Sequence, residues 1–227
     1  MRVATQCLVF GFALVLAFAT VGTISIAQYD NGVALRNAPE DGGPRRWQVV
    51  GELTVTDRPS IDADVIGILP DGAIVSNRGC KTIAGQTWCE IRPLRERMQG
   101  FAQAKLLRPA QGPDGVVPLG LDDSKRRARA RDFDSRGKIP CAQVQGQVMG
   151  ICNAATALGG GGDATVVVTF ANGFARELYF VHGEFMRANA TMSGVGTDLD
   201  WRLENGTYFI RVDDQRFELP ESLAWTD

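Results

Sequence analysis

Short apolar runs separated by turn residues make up the chain from Trp47 to Arg108. The runs are "WQVVGELTV", "VIGIL", "AIVSNRG", "TWCEIRP" and "GFAQAKLL", and each has the length and alternation of a β-strand. A polar loop with Pro59 separates the first two runs. Pro70–Gly72 is a tight-turn sequence, because proline presets φ and glycine accepts the positive φ that follows. Several short strands at this spacing predict a small barrel or sandwich over residues 47–108.

A second strand-rich region covers residues 141–227. The runs "ATVVVTF" and "FARELYFV" flank Asn172-Gly173, which is a strong β-hairpin sequence. The run "FMRANA" can add a strand, and a meander follows with turns at Asn205-Gly206 and Asp213–Gln215. We therefore predict an all-β fold with two small domains, the second an antiparallel β-meander.

The intervening residues 109–140 have the composition of a linker. The first part is rich in Pro and Gly, and the stretch Ser124–Lys138 then carries seven Lys or Arg against two Asp. Such a basic run can bind an anionic polymer or lipid headgroups. The alternative is a solvated interdomain segment that docks on the C-terminal region, since residues 141–227 carry five Arg, no Lys and eleven Asp or Glu.

The N-terminal segment Met1–Ala27 resembles an export signal in its layout. Arg2 is its only charged residue, the stretch Leu8–Ala19 is almost wholly apolar, and Ser25-Ile26-Ala27 is a small-x-small site. The alternative is an uncleaved N-terminal anchor, because the charge-free stretch is long enough to span a bilayer. Both interpretations place the rest of the chain outside the cytoplasm, so we expect a secreted or periplasmic protein that contacts the membrane only if this segment stays uncleaved.

Four cysteines follow this segment: Cys80, Cys89, Cys141 and Cys152. A metal site would need closely spaced ligand pairs or histidines, and the chain has one His. A redox pair would usually take the CxxC spacing, which is also absent. Four cysteines allow three pairings, and the sequence spacing favours the local ones, Cys80–Cys89 and Cys141–Cys152. Each closes a short loop, for which chain entropy gives about 2–3 kcal/mol of stabilisation.

Motifs in residues 47–108 follow the order and spacing of a known module. They are Leu53-Thr54-Val55, Pro59, Val65-Ile66-Gly67, Leu69, Gly72, Trp88, Gly100-Phe101 and Leu106-Leu107. On these residues the region resembles a bacterial SH3 (SH3b) domain, which implies a small SH3-like barrel. The chain departs from the family at Thr54 and Thr56, where the family has Asn and Arg, and at Phe101, where it has Trp.

The C-terminal region also resembles a described domain. Its stretches "PCAQVQGQVMGIC" and "GGGGDATVVV", followed by "NGFARELYFVHG", are similar to a domain of unknown function that follows SH3 modules in proteobacterial envelope proteins. That resemblance implies no reaction.

Trp88 and Arg92 are the candidate ligand-binding residues. They lie four apart on one predicted strand and therefore on one face of it. In SH3-like barrels a ligand groove lies between the long first loop, here residues 57–64, and the hairpin loop, here residues 77–87. If Cys89 faces the core, Trp88 should be partly exposed; if Trp88 packs inward, the disulfide should lie outside. The alternative role for Trp88 is packing in the core or at its rim.

Candidate catalytic chemistry is sparse in the chain. His182 is expected at a turn between strands, where a lone His is usually structural, and no nucleophile motif such as GxSxG accompanies it. The pairs Asp198/Asp200 and Asp213/Asp214 are expected in solvated loops without an apolar pocket to raise a pKa. The glycine run Gly159–Gly162 is expected to be flexible and lacks the spacing of a phosphate cradle. We expect no cofactor and no metal.

The sequence therefore predicts an exported, non-catalytic binding or scaffold protein of the bacterial cell envelope. By resemblance, its SH3b region is expected to contact peptidoglycan or a peptide, so the partners are a cell-wall polymer or an envelope protein. The formal net charge of −2 indicates no nucleic-acid partner. One alternative is an inhibitor or interaction partner of another envelope protein that acts through the acidic C-terminal domain. The other is an enzyme with an unrecognised site.

Overall fold

The structure is a computed structural model that describes residues 37–190 and 198–225. The predicted export segment Met1–Ala27 lies outside the described residues. The regular structure is almost entirely β, in two antiparallel sheets, and this confirms the predicted all-β class with two small domains. No helix among the described residues is long and apolar enough to cross a membrane.

The first sheet has seven strands in the order β3-β2-β6-β5-β4-β1-β7. The strands are β1 (Arg46–Val49), β2 (Leu53–Thr56), β3 (Val65–Leu69), β4 (Ile74–Ile83), β5 (Gln86–Pro93), β6 (Gly100–Gln103) and β7 (Leu107–Pro109). Short 3-10 helices at Pro39–Asp41 and Ala104–Leu106 accompany them.

Alternation along these strands builds the first core. Leu53 and Val55 of β2 are fully buried while Thr54 between them is exposed, as period-two geometry requires. Trp47, Leu69 and other apolar side chains close the same core. The predicted bridge Cys80–Cys89 is present and joins residues that lie directly opposite each other on β4 and β5. It therefore fixes the hairpin whose turn is Ala84-Gly85.

The second sheet has eight strands in the order β12-β11-β10-β9-β8-β15-β14-β13. The strands are β8 (Ser135–Ala142), β9 (Gly150–Gly160), β10 (Asp163–Thr169), β11 (Ala175–Val181), β12 (Glu184–Ala188), β13 (Leu199–Glu204), β14 (Thr207–Val212) and β15 (Gln215–Pro220).

This order is a meander whose first and last strands pair with each other. Phe217 of β15 lies opposite Cys141 of β8, so the sheet curls towards a barrel that stays unpaired between β12 and β13. Across the interior, the ring of Phe180 on β11 lies 5.1 Å from that of Tyr208 on β14. Apolar side chains and the predicted bridge Cys141–Cys152 fill the interior.

Turn residues explain the tight connections of the barrel. His182-Gly183 and Asn205-Gly206 each have two successive positive φ angles, the conformation of the two-residue hairpin turn whose twist matches its strands. The Asn172-Gly173 and Asp213-Asp214 turns are also where the sequence predicts them. A helix α2 (Glu221–Ala224) follows β15, and the indole N–H of Trp225 donates to the Tyr208 hydroxyl at 3.0 Å.

The expected linker, residues 109–140, contains regular structure. Helix α1 (Ser124–Arg129) and the first part of β8 lie within it. Ser124 and Ala128 form the buried face of the helix, and the Ser124 hydroxyl lies 3.0 Å from that of Thr165 on β10. Arg127 donates to both carboxylate oxygens of Asp134 at 2.9 Å and to the carbonyl of Leu158 at 3.0 Å. Small buried side chains and charged hydrogen bonds hold this helix, so no apolar stripe marks it in the sequence.

The two sheets meet at the carboxylate of Asp163, which is 1% exposed. One oxygen accepts from Arg45 at 2.9 Å, and the other accepts from Arg46 and from the backbone N–H of His182. Because Arg46 opens β1 and Asp163 opens β10, one buried carboxylate links the first sheet to the second. We call this group of residues the Asp163 junction.

The glycine run before Asp163 is closely packed, contrary to the expectation of a flexible loop. A Cβ added to Gly112 would lie 2.3 Å from Gly161, so the two backbones touch at a distance that only glycine allows. The Asp114 carboxylate accepts from the Gly161 N–H at 2.8 Å, and Arg45 donates to the Gly159 carbonyl at 2.8 Å. The run is therefore a docking surface for the segment that joins the two sheets.

We predict that Asp163→Asn lowers the free energy of unfolding by about 3–5 kcal/mol, because it leaves two buried guanidinium groups without their counter-charge. Urea denaturation at neutral pH measures this. The matched control is Asp198→Asn, which removes an exposed carboxylate paired with Arg211 and should change stability little. Equal stability of the two variants would contradict a structural role for the junction.

Candidate functional site

A groove of about 330 Å³ lies along the β4–β5 hairpin, with Pro59 of the first loop and residues 37–41 among its lining. We call it the Trp88 groove. Its lining residues are Asn37, Ala38, Asp41, Pro59, Arg78, Gly79, Cys80, Lys81, Ile83, Trp88, Glu90 and Phe101. They combine apolar surface with two basic and two acidic side chains. The groove can therefore contact a ligand that has an apolar part as well as a positive and a negative group.

Trp88 lines the groove but is 5% exposed, which agrees with the alternative that it packs in the core or at its rim, whereas the expectation that only one of Trp88 and Cys89 is buried is wrong. Cys89 faces the core and Trp88 is also buried, because both faces of β5 are covered at this point. Lys81 and Gln103 lie opposite Trp88 on the neighbouring strands. Trp88 also lines a second recess of about 280 Å³, to which Ser60 and Ile61 of the first loop contribute. The indole is therefore shared by two recesses.

Arg92 does not join Trp88 in the groove. It is exposed, lies opposite Ser76, and is not among the residues that line either recess. The basic residues that the structure brings to the groove are Arg78 and Lys81. Sequence spacing places Arg92 on the same face as Trp88 but cannot show how far along the strand the groove extends.

Hydrogen bonds hold both walls of the groove. The side-chain amide of Asn77 donates to the carbonyls of Asn37 and Pro44 at 2.7 Å each, which ties the segment before β1 to β4. The first loop is closed at its base, where Asp57 N–H donates to the Asp64 carbonyl and Asp64 N–H donates to the Asp57 carboxylate. With the hairpin fixed by its disulfide, the groove is formed before any ligand arrives, which lowers the entropy lost on binding.

His182 lies at the predicted turn between β11 and β12, away from the groove. Its Nδ1 is buried without a hydrogen-bond partner, and Arg46 of the Asp163 junction is close enough to affect its titration. Burial and then the charge of Arg46 lower the pKa of His182 below its ordinary value, while Asp163 and Glu184 oppose this. The imidazole is therefore held neutral at the contact between the sheets.

One member of each carboxylate pair has an arginine partner. Arg211 hydrogen-bonds Asp198 and lowers its pKa, and Asp213 accepts from the buried Arg176 at 3.3 Å. Within the described residues, no three His, Cys, Asp or Glu side chains are placed to hold a metal ion.

Sequence reasoning missed the Asp163 junction and the wall of the groove formed by residues 37–41. Two signals were available for the junction, namely the paired arginines directly before the first strand and the Asp that ends the glycine run.

The comparisons with protein-family models, with curated proteins and with solved structures each return no match.

We predict that Trp88→Ala lowers the free energy of unfolding by about 3–5 kcal/mol, since it removes a large buried side chain. The matched control is Arg92→Ala on the same strand, which should change stability by less than about 0.5 kcal/mol. Urea denaturation of both variants tests this. A small loss for Trp88→Ala would mean that the indole lies at the surface in solution.

We also predict that His182 makes stability fall on acidification. Its folded pKa lies below the ordinary 6.5, so its contribution is complete above pH 6.5 and is lost as pH falls towards the folded pKa. His182→Asn keeps a residue that tolerates the positive φ of 55° at this turn. Denaturation midpoints between neutral pH and about pH 5 should fall less steeply for the variant than for the parent. Parallel pH profiles would refute the assignment.

Proposed function

We propose that the protein is an exported, non-catalytic binding protein of the bacterial cell envelope, and that its ligand occupies the Trp88 groove. The observation that carries the proposal is the groove itself, a recess formed in advance on a disulfide-fixed hairpin with a Trp at its base. The proposed ligand is peptidoglycan or a short peptide.

The two disulfides support the cellular location. Cys80–Cys89 and Cys141–Cys152 both bridge neighbouring strands, and such bridges are typical of proteins in oxidising compartments outside the cytoplasm. The export signal predicted for Met1–Ala27 agrees with this location.

The chemistry of the lining residues supports a ligand that has an apolar part, a positively charged group and a negatively charged group. Arg78 and Lys81 stand on the hairpin side, while Asp41 and Glu90 provide carboxylates in the same groove. Neither basic side chain has an ion-pair or hydrogen-bond partner in the described part of the chain, so both are available to a carboxylate. A peptide with a free amine and a free carboxylate, alone or as part of the wall polymer, matches this arrangement.

The alternative of a partner bound through the acidic C-terminal domain has less support from the charges. Part of its acidic surface is already paired within the domain, because Asp198, Asp213 and Glu204 form ion pairs with arginines. Glu184 pairs with Arg95 of the first sheet at 2.7 Å. The groove therefore remains the better candidate for ligand binding.

Cosedimentation with purified cell-wall sheets tests the proposal. Lys81→Glu places a carboxylate in the groove and should weaken wall binding by roughly tenfold or more, through like-charge repulsion of the ligand carboxylate. The control is Lys105→Glu, which makes the same change of charge at an exposed site in the short 3-10 helix between β6 and β7, outside the groove. Thermal melts confirm that both variants are folded.

The proposal fails if both variants sediment like the parent protein. It also fails if the parent binds neither wall sheets nor the soluble peptides released from them. Binding of the released peptides alone would identify the peptide, rather than the polymer, as the ligand.

A further inference from the structure

The two edges of the first sheet differ in how they are protected from pairing. The edge strand β7 has three residues, and these include the exposed Arg108 and Pro109, which has no N–H to offer. Charge, proline and short length are the devices by which edge strands avoid adding another strand. The opposite edge, β3, has five residues with no charge and no proline, and its neighbour among the described strands is β2.

Aliphatic side chains are exposed on and just before β3. Ile61, Val65, Ile66 and Ile68 are 67%, 59%, 42% and 59% exposed, and none belongs to the core of the sheet. Ile61, Val65 and Ile68 are exposed within one short stretch, whereas the end of the Ile66 side chain lies over Gly100 beside Val55. Clusters of exposed apolar residues mark interaction sites in soluble proteins. Gly67 lies among them under the side chain of Met98, whose sulfur a Cβ at this position would meet at 2.4 Å. The edge is therefore apolar along its length and held close to the sheet at its centre.

Acidic residues stand at both ends of β3. Asp62 and Asp64 precede the strand and Asp71 follows it, and all three are exposed. In the described part of the chain none of the three forms an ion pair. The nearby Arg58 is paired with Asp57. The strand thus has an apolar centre and negatively charged ends.

We propose that β3 is the docking edge for an extended peptide segment of another protein, with aliphatic residues at alternate positions and Lys or Arg at both ends. The backbone of such a segment would pair with the free edge, as in other cases of strand addition. Its aliphatic side chains would cover Ile61, Val65 and Ile68, and its basic ends would meet Asp64 and Asp71. This site is separate from the Trp88 groove and does not depend on the function proposed for it.

A second copy of this chain fits the edge less well. Antiparallel pairing of two β3 strands about Gly67 would bring the Asp64 end of one copy to the Asp71 end of the other. Parallel pairing would bring the two Asp64 ends together and the two Asp71 ends together. Acidic ends meet acidic ends in both directions, and like charges directly opposite each other are destabilising. The charge pattern therefore selects a basic-flanked partner rather than self-association.

The test uses the full chain and a fluorescein-labelled peptide, Lys-Val-Thr-Val-Thr-Val-Lys, with anisotropy as the readout. Ile68→Lys places a charge in the centre of the edge and should weaken binding by roughly tenfold or more. The matched control is Val148→Lys, which places the same charge at an exposed aliphatic position in the loop between β8 and β9, away from the first sheet. A peptide with Glu at both ends should also bind at least about tenfold more weakly than the Lys-flanked one.

Amide hydrogen exchange locates the contact. Saturation with the Lys-flanked peptide should protect amides of β3 and leave those of the β4–β5 hairpin unchanged, and Lys81→Glu should not alter the affinity. The proposal is overturned if the parent does not bind the peptide, if Ile68→Lys binds it equally well, or if protection appears in the hairpin instead. Self-association that Ile68→Lys abolishes, seen by sedimentation velocity, would assign the edge to a second copy and also overturn the proposal.

Discussion

A buried carboxylate forms the central contact between the two sheets of this protein. Asp163 receives two guanidinium groups and a backbone N–H while almost completely removed from water. Desolvating such charges costs several kcal/mol per ion, and only good geometry with additional hydrogen bonds offsets this. The surroundings supply both, because Arg45 also donates to the carbonyls of Gly120, Gly159 and Leu121. The position of the segment between the sheets, and the tight glycine packing beneath it, follow from this arrangement.

The first sheet presents two surfaces of different character. The Trp88 groove is concave, of mixed charge, and fixed by a disulfide and by the amide of Asn77. The β3 edge is shallow and apolar, with backbone groups open to pairing. A preformed recess selects a ligand by shape and charge, whereas a strand edge selects extended conformation. The two surfaces would therefore recognise different classes of segment, and one small sheet can present both because they lie on different strands.

Local signals in the sequence predicted most of the strands, the turns and the disulfides, but not β8 or β9. Asn205-Gly206 specifies its turn because both residues accept positive φ, and Cys80 and Cys89 fall opposite each other once the hairpin between them forms. The burial of Trp88 could not be read from alternation, because the first loop and the neighbouring strands cover the second face of β5. Helix α1 was missed because its buried face consists of Ser124 and Ala128, which give no hydrophobic period. The SH3b resemblance stays a prediction.

The order in which the chain emerges bears on the Asp163 junction. Strands β1 to β7 are complete by Pro109, yet Arg46 and the carboxylate that neutralises it are separated by 117 positions. Strand β8 pairs with β15, so this side of the barrel forms only after β15 is available. Contacts of such long sequence separation form late and slow the folding of a domain. A chain that emerges N-terminus first would thus hold two arginines without their partner, and an edge of β8 unpaired, until nearly its whole length is available. That interval is when the protein would be most open to aggregation.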